Sequence, residues 1–194
     1  MEALKPIYLD YNATTPIAKE VADEMKPFLY GNFGNPSSSH PYGVQAKLAV
    51  EKARQQVAKA INCNTSELIF TSGGTESNTT AIRGYAFANR DKGNHIITSA
   101  VEHPAVTEVC RYLETRGYLV TYLPVDRYGL VDPKALEDHI SPNTLLVSIM
   151  HANNEVGTIQ PIKEFADVAH KHGAVFHTDA AQTLGKYPLD VQGL

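Results

Sequence analysis

Apolar and polar positions along this chain fall into two rhythms, one helical and one that switches between short apolar runs and helical stretches. Ala46, Ala49, Val50, Ala53, Val57, Ala60 and Ile61 share one stripe while Lys47, Glu51, Arg54 and Lys59 stand off it, which predicts an amphipathic helix whose apolar face must pack on something. An earlier helix is predicted from Pro16, with Val21, Met25 and Phe28 at helical spacing. Between the two, residues 31–41 are rich in Gly, Asn, Pro and Ser and read as a loop. Five strands are then predicted at Leu68-Ile69-Phe70-Thr71, His95-Ile96-Ile97-Thr98, Leu119-Val120-Thr121-Tyr122-Leu123, Leu145-Leu146-Val147-Ser148-Ile149-Met150 and Ala174-Val175-Phe176-His177-Thr178. Helices open near Thr75, Pro104, Asp132 and Pro161. This alternation predicts an α/β fold of three layers, a largely parallel sheet flanked by helices. In such sheets ligands sit beyond the carboxyl ends of the strands.

The polar residues at those ends carry the candidate chemistry. The first run ends in Thr71-Ser72-Gly73-Gly74-Thr75, where two glycines admit an anion close to the backbone, a helix mouth offers N–H groups and the Thr75 hydroxyl adds a donor. No Gly-Lys-Ser/Thr follows, and the glycine spacing is not that of a dinucleotide fingerprint. Taken alone, this is equally a glycine turn with Thr75 as a cap. The second run leads to Val101-Glu102-His103-Pro104; a lone histidine there is an ordinary cap or surface group. The fourth leads to His151-Ala152-Asn153-Asn154-Glu155-Val156-Gly157, a dense polar cluster of residues that also favour turns. The fifth places Asp179 where an apolar strand runs out, followed by Gln182; by itself Asp179 suits a helix cap. Together they fit pyridoxal 5'-phosphate (PLP). Its phosphate needs an anion hole at Gly74 and Thr75, and its pyridine nitrogen needs a carboxylate such as Asp179 to stay protonated. Its ring face needs a flat group that moves protons, for which His103 is suited, and its phenolic oxygen needs polar partners such as Asn154 and Gln182.

Composition narrows the class. With 43% hydrophobic and 20% charged residues the 194-residue chain can bury a sizeable core, and a net charge of −4 with scattered Lys and Arg argues against nucleic acid as a partner. Two distant cysteines, Cys63 and Cys110, suggest neither a disulfide framework nor a metal site. No signal-peptide or membrane-spanning run is present, so a cytoplasmic protein is expected.

The chain resembles the N-terminal half of the cysteine desulfurase and selenocysteine lyase family, within the fold-type I, class V aminotransferase-like PLP enzymes. The resemblance rests on Tyr8-Leu9-Asp10-Tyr11-Asn12-Ala13-Thr14-Thr15-Pro16, Gly34-Asn35-Pro36-Ser37-Ser38, Phe70-Thr71-Ser72-Gly73-Gly74-Thr75-Glu76-Ser77-Asn78, Glu102-His103, Asn153-Asn154-Glu155 with Gly157, and His177-Thr178-Asp179-Ala180-Ala181-Gln182. It implies that residues 1–15 are a small-domain segment and that 16–194 form an incomplete PLP-binding large domain. It assigns phosphate binding to Gly74 and Thr75, ring stacking to His103, the pyridine partner to Asp179, and the oxygen side of the cofactor to Asn154 and Gln182.

The resemblance also implies removal of sulfur from L-cysteine to give alanine and an enzyme persulfide, feeding sulfur to acceptor or scaffold proteins for iron–sulfur cluster assembly, by a homodimer. Its Schiff-base lysine, in a Ser-x-His-Lys segment, and its sulfur-accepting cysteine have no match among these 194 residues. Lys186 lacks that context and reads as a surface lysine beside a Gly185 turn; Cys63, after a helix end, and Cys110, within a helix, read as bystanders. A truncated or split enzyme, insoluble or aggregating by itself, is therefore expected. Selenocysteine lyase, another class V activity such as an aminotransferase, and a non-catalytic partner-binding module remain as alternatives.

Overall fold

The computed structural model describes residues 6–194, which fall into two compact units divided between Leu68 and Ile69.

The first unit holds α1 (Lys19–Tyr30), α2 (Pro41–Ile61) and a short 3-10 turn at Thr65–Glu67. α1 begins three residues later than Pro16 suggests, after an Ala18 that offers no side-chain cap. α2 has stronger boundaries. Pro41 stands at its first position, the His40 ring accepts from the Gly43 amide at 3.3 Å, and Asn62 closes it in the left-handed region at φ 57°. The glycine-rich loop folds against this helix start so closely that a Cβ on Gly43 would lie 2.3 Å from the Ser38 carbonyl oxygen. The predicted stripe on α2 is only partly covered: Ala46 is buried, but Val50 and Ala60 are exposed while Ala58, off the stripe, is buried. Two helices and a loop supply too little surface to bury a whole amphipathic face.

The second unit is built on β1 (His95–Ser99), β2 (Leu119–Leu123), β3 (Thr144–Ser148) and β4 (Val175–His177), all parallel in the order β2-β1-β3-β4. The helices are α3 (Gly74–Ala88), α4 (Pro104–Glu114), α5 (Pro133–His139) and α6 (Ile162–Lys171). All five residues of β1 and of β3 are buried, as expected for central parallel strands covered on both faces. Side chains alternate across the sheet. Ile96 and Leu146 join Ile82 and Ala86 of α3 and Val106, Cys110 and Leu113 of α4 in one core. Ile97 and Val147 join Leu136 of α5 and Phe165 and Ala169 of α6 in the other. The three-layer α/β expectation is met.

One predicted strand is not. Residues 68–71 pair with no strand, and Ile69 is 78% exposed. An apolar run becomes a strand only when its N–H and C=O groups find a partner, and among the described residues the sheet ends at β2 and β4.

The strand order positions the site. β1 and β3 are neighbours, yet the chain leaves β1 through α4 toward β2 and leaves β3 through α6, on the opposite face, toward β4. The loops after β1 and β3 therefore leave the sheet toward opposite faces at a topological switch point, the place where ligands sit in sheets of this kind.

Candidate cofactor site

α3 opens at the glycine turn. Gly73 has φ 157° and ψ 179°, a combination essentially reserved for glycine, and no side chain caps the helix at that residue. A Cβ built on Gly73 or Gly74 would meet nothing within 4 Å, so open space lies beside the turn at both glycines. The turn is braced from behind. The Ser72 amide and hydroxyl both donate to Glu76 Oε2 at 2.6 Å, and these bonds hold the Glu76 carboxyl below its usual range. Thr71 and Ser77 share a hydroxyl–hydroxyl bond of 2.7 Å. Gly74 and Thr75 are exposed, as an anion site requires.

His103 caps α4: its Nδ1 accepts from the Ala105 amide at 3.1 Å, so in the neutral ring the proton sits on Nε2. The ring is exposed. A cleft of about 400 Å³ between α3 and α4 is lined by Thr75 and Thr79 on one side and His103 and Pro104 on the other. The predicted phosphate turn and the predicted stacking histidine thus share one concavity.

Asp179 is tied to the same helix. Its Oδ2 accepts from Asn78 Nδ2 at 2.8 Å and its Oδ1 from the Ala181 amide at 3.0 Å. Its carbonyl takes the His151 amide at 2.9 Å, which continues the β3–β4 pairing past the strand ends. The carboxylate is oriented by two donors and keeps lone pairs for a third. Asn154 and Gln182 are half-buried; Asn154 Nδ2 donates to Glu155 at 3.0 Å, and Gln182 Oε1 accepts from the exposed Lys186 at 3.3 Å. They stand on the loop after β3 and the turn after β4, and neither lines the cleft that Thr75 and His103 share.

Several residues that support the site carry no role in a reading of the motifs alone. Asn78 joins the phosphate turn to Asp179; the signal was a buried amide one turn along the helix from Gly74 and Thr75. Asn153 is buried and donates to the Val101 carbonyl at 2.9 Å, and its Oδ1 takes the Glu155 and Val156 amides. His177 bonds Ser148 at 2.9 Å; burial pushes its imidazole down to about 4, against the opposing pull of Asp179. Glu102 is buried beside these groups, and its burial pushes the carboxyl up to about 7. Burial likewise pushes the Cys110 thiol up to about 12, so this cysteine is inert.

The donor set fits PLP: an open, uncapped helix start for a phosphate, a fixed carboxylate with free lone pairs for a ring nitrogen, and an exposed imidazole near that helix start. The family model for class-V aminotransferases matches residues 7–194.

The chain belongs to the class-V aminotransferase family.

Enzymes of this family are PLP-dependent. The chain is 56% identical over 190 residues to the cysteine desulfurase IscS of Dictyoglomus turgidum and 53% identical to that of Methanosarcina thermophila. These alignments cover 98% of the chain but 48% and 47% of the relatives, so the chain spans about half the length of the curated relatives it matches. Among solved structures, a NifS-like protein superposes with TM-score 0.93 at 42% identity, covering 96% of this chain and 52% of that one. SspA in complex with cysteine superposes with TM-score 0.92 at 44% identity, over 96% and 54% of the two chains. No helix among the described residues is long and apolar enough to cross a membrane.

Proposed function

We propose that this chain forms the cofactor-binding part of a PLP-dependent cysteine desulfurase. The observation that carries the reading is the Asn78–Asp179 bond, because it fixes a carboxylate to the same helix whose exposed first turn, at Gly74 and Thr75, suits a phosphate. The likeness to cysteine desulfurases over nearly the whole chain and to a structure holding cysteine supports L-cysteine as the substrate. When bound, PLP supplies the electron sink that lets a bond at the substrate's α-carbon break.

The chain's own residues have separate tasks. The first-turn N–H groups at Gly74 and Thr75, with the Thr75 hydroxyl, would bind the phosphate. Asp179 would keep the ring nitrogen protonated. His103 would stack on the ring and has Nε2 available to move protons, its Nδ1 being occupied by the Ala105 amide. Asn154 and Gln182 would contact the oxygen side of the cofactor. In this reading residues 16–194 are part of the PLP-binding large domain and 1–15 a small-domain segment. The enzyme is a cytoplasmic homodimer that passes sulfur to acceptor or scaffold proteins for iron–sulfur cluster assembly.

The test has two parts. Equilibrium dialysis against PLP should give one saturable site per chain that weakens in Thr75→Ala. Coexpression with a polypeptide carrying the Ser-x-His-Lys segment of a cysteine desulfurase should give Asp179-dependent release of alanine from L-cysteine. Absence of saturable PLP binding sinks the cofactor assignment; release from selenocysteine alone moves the assignment to selenocysteine lyase.

A further inference from the structure

The loops that diverge at the switch point are held together by two side chains, one from each. From the β1 side, Glu102 Oε1 accepts the Ser99 hydroxyl at 2.5 Å and the Met150 amide at 2.9 Å, reaching across to the end of β3. From the β3 side, Asn153 Nδ2 reaches back to the Val101 carbonyl. Each of these residues immediately precedes a candidate cofactor residue, His103 in one loop and Asn154 in the other. Glu102 is 8% exposed, and its second oxygen, Oε2, is buried with no hydrogen-bond partner among the described residues. A buried carboxylate oxygen left without a donor costs free energy, so the carboxyl is better accommodated with its proton on Oε2. Packing alone would be served by an apolar side chain of the same size; an accepting oxygen is needed for the bonds from Ser99 and Met150.

We propose that Glu102 is a positioning residue of the cofactor site, whose carboxyl bridges the ends of β1 and β3 and thereby sets the placement of the His103 ring. This rests on the PLP reading only for what His103 is placed against; the bridge itself is a property of the cofactor-free chain. The titratable groups bearing on Glu102 are Asp179, from the end of β4, which disfavours its ionisation, and Cys110, on α4, itself held neutral by burial. His177 on β4 faces Asp179 and is likewise held neutral. Ionising Glu102 therefore adds a second negative charge near Asp179 with no new donor for Oε2, and the strand-end bridge has to rearrange to solvate it.

The test uses the full chain without cofactor and compares wild type with Glu102→Gln and Glu102→Ala. The reporters are the backbone amide shifts and the amide hydrogen exchange of Met150, which donates to Glu102, and of Ala105, which donates to His103. Wild type should show an inflection near pH 7 in both amide shifts as the Glu102 carboxyl ionises. Glu102→Gln, which keeps an accepting oxygen and carries no charge, should lose that inflection and retain slow exchange. Glu102→Ala should speed exchange at both amides by about tenfold or more, the scale of one lost hydrogen bond, while β2 amides stay protected. The same pH dependence of the Met150 and Ala105 amide shifts in wild type and Glu102→Gln, or unchanged Ala105 exchange in Glu102→Ala, would overturn the assignment. PLP dialysis of the same samples decides the cofactor reading separately: wild type that fails to bind PLP defeats that reading whatever the Glu102 variants show.

Discussion

Replacing Glu102 with glutamine removes a buried ionisable group while preserving its shape, and the structure gives the size and sign of the effect. Burial pushes the Glu102 carboxyl from 4.5 up to about 7, against the downward pull of its bonds to Ser99 and Met150 and with a further upward push from Asp179. Between those two values the folded chain holds a proton that the unfolded chain has released. Stability from this group is therefore fully present below pH 4.5 and lost as pH rises through about 7. At about 1.4 kcal/mol per pH unit the loss is about 3 kcal/mol, or roughly 6–12 °C in melting temperature for a chain of this size. His177 runs the other way: burial lowers its imidazole from 6.5 to about 4, so its contribution is lost as pH falls through that window. That slope is common to both proteins and cancels in their difference. Urea unfolding followed by far-UV circular dichroism at several pH values between about 4.5 and 8 measures the difference. Glu102→Gln should gain about 3 kcal/mol on wild type across the range, ending as the more stable protein on the alkaline side. A difference that stays constant with pH would refute the reasoning.

Other substitutions read separate parts of the structure. Asn78→Ala removes a buried bond to a carboxylate and should cost about 1.5–3 kcal/mol in urea unfolding, with weaker PLP binding in dialysis. Phe165→Ala empties a fully buried site between α6 and the sheet and should cost about 3–5 kcal/mol by the same assay. Gly43→Ala forces a Cβ against the Ser38 carbonyl, so hydrogen exchange should rise across the start of α2 while β1 and β3 stay protected. A thiol reagent such as dithiobis-nitrobenzoate should modify the half-exposed Cys63 in the native chain and leave buried Cys110 unreacted until denaturant is added.

The architecture was legible where periodicity is a local property. The runs at His95, Leu119, Leu145 and Ala174 became β1 to β4 within a residue or two, and Pro104 and Asp132 marked their helix starts, because strand burial and helix capping are written in adjacent residues. Residues 68–71 misled because an apolar run records a preference for burial and says nothing about which strand will pair with it. The α2 stripe overstated its burial for the same reason: amphipathicity describes the helix and not its cover. At the site, Gly74, Thr75, His103 and Asp179 were picked out from the chemistry at predicted strand ends, and the structure brings Thr75 and His103 to one cleft and ties Asp179 to α3 through Asn78. Their supports were not, since Asn78 and Asp179 lie 101 positions apart and Glu102 and Met150 lie 48 apart. A lone buried amide or carboxyl in sequence carries no sign of its partner. Only the switch-point geometry gives Glu102 and Asn153 a purpose, because it brings their two loops side by side.

The central claim is that this chain holds PLP with its phosphate on the start of α3 and its ring nitrogen on Asp179. The most direct measurement is the nitrogen-15 NMR shift of pyridine-labelled PLP bound to wild type and to Asp179→Ala, read beside the phosphorus-31 shift of the same samples. The account predicts a protonated ring nitrogen in wild type at a pH where free PLP is unprotonated, loss of that protonation in Asp179→Ala, and a bound-phosphate signal in both. A ring nitrogen with the same shift in both proteins, or a phosphate signal indistinguishable from that of free PLP, would contradict it.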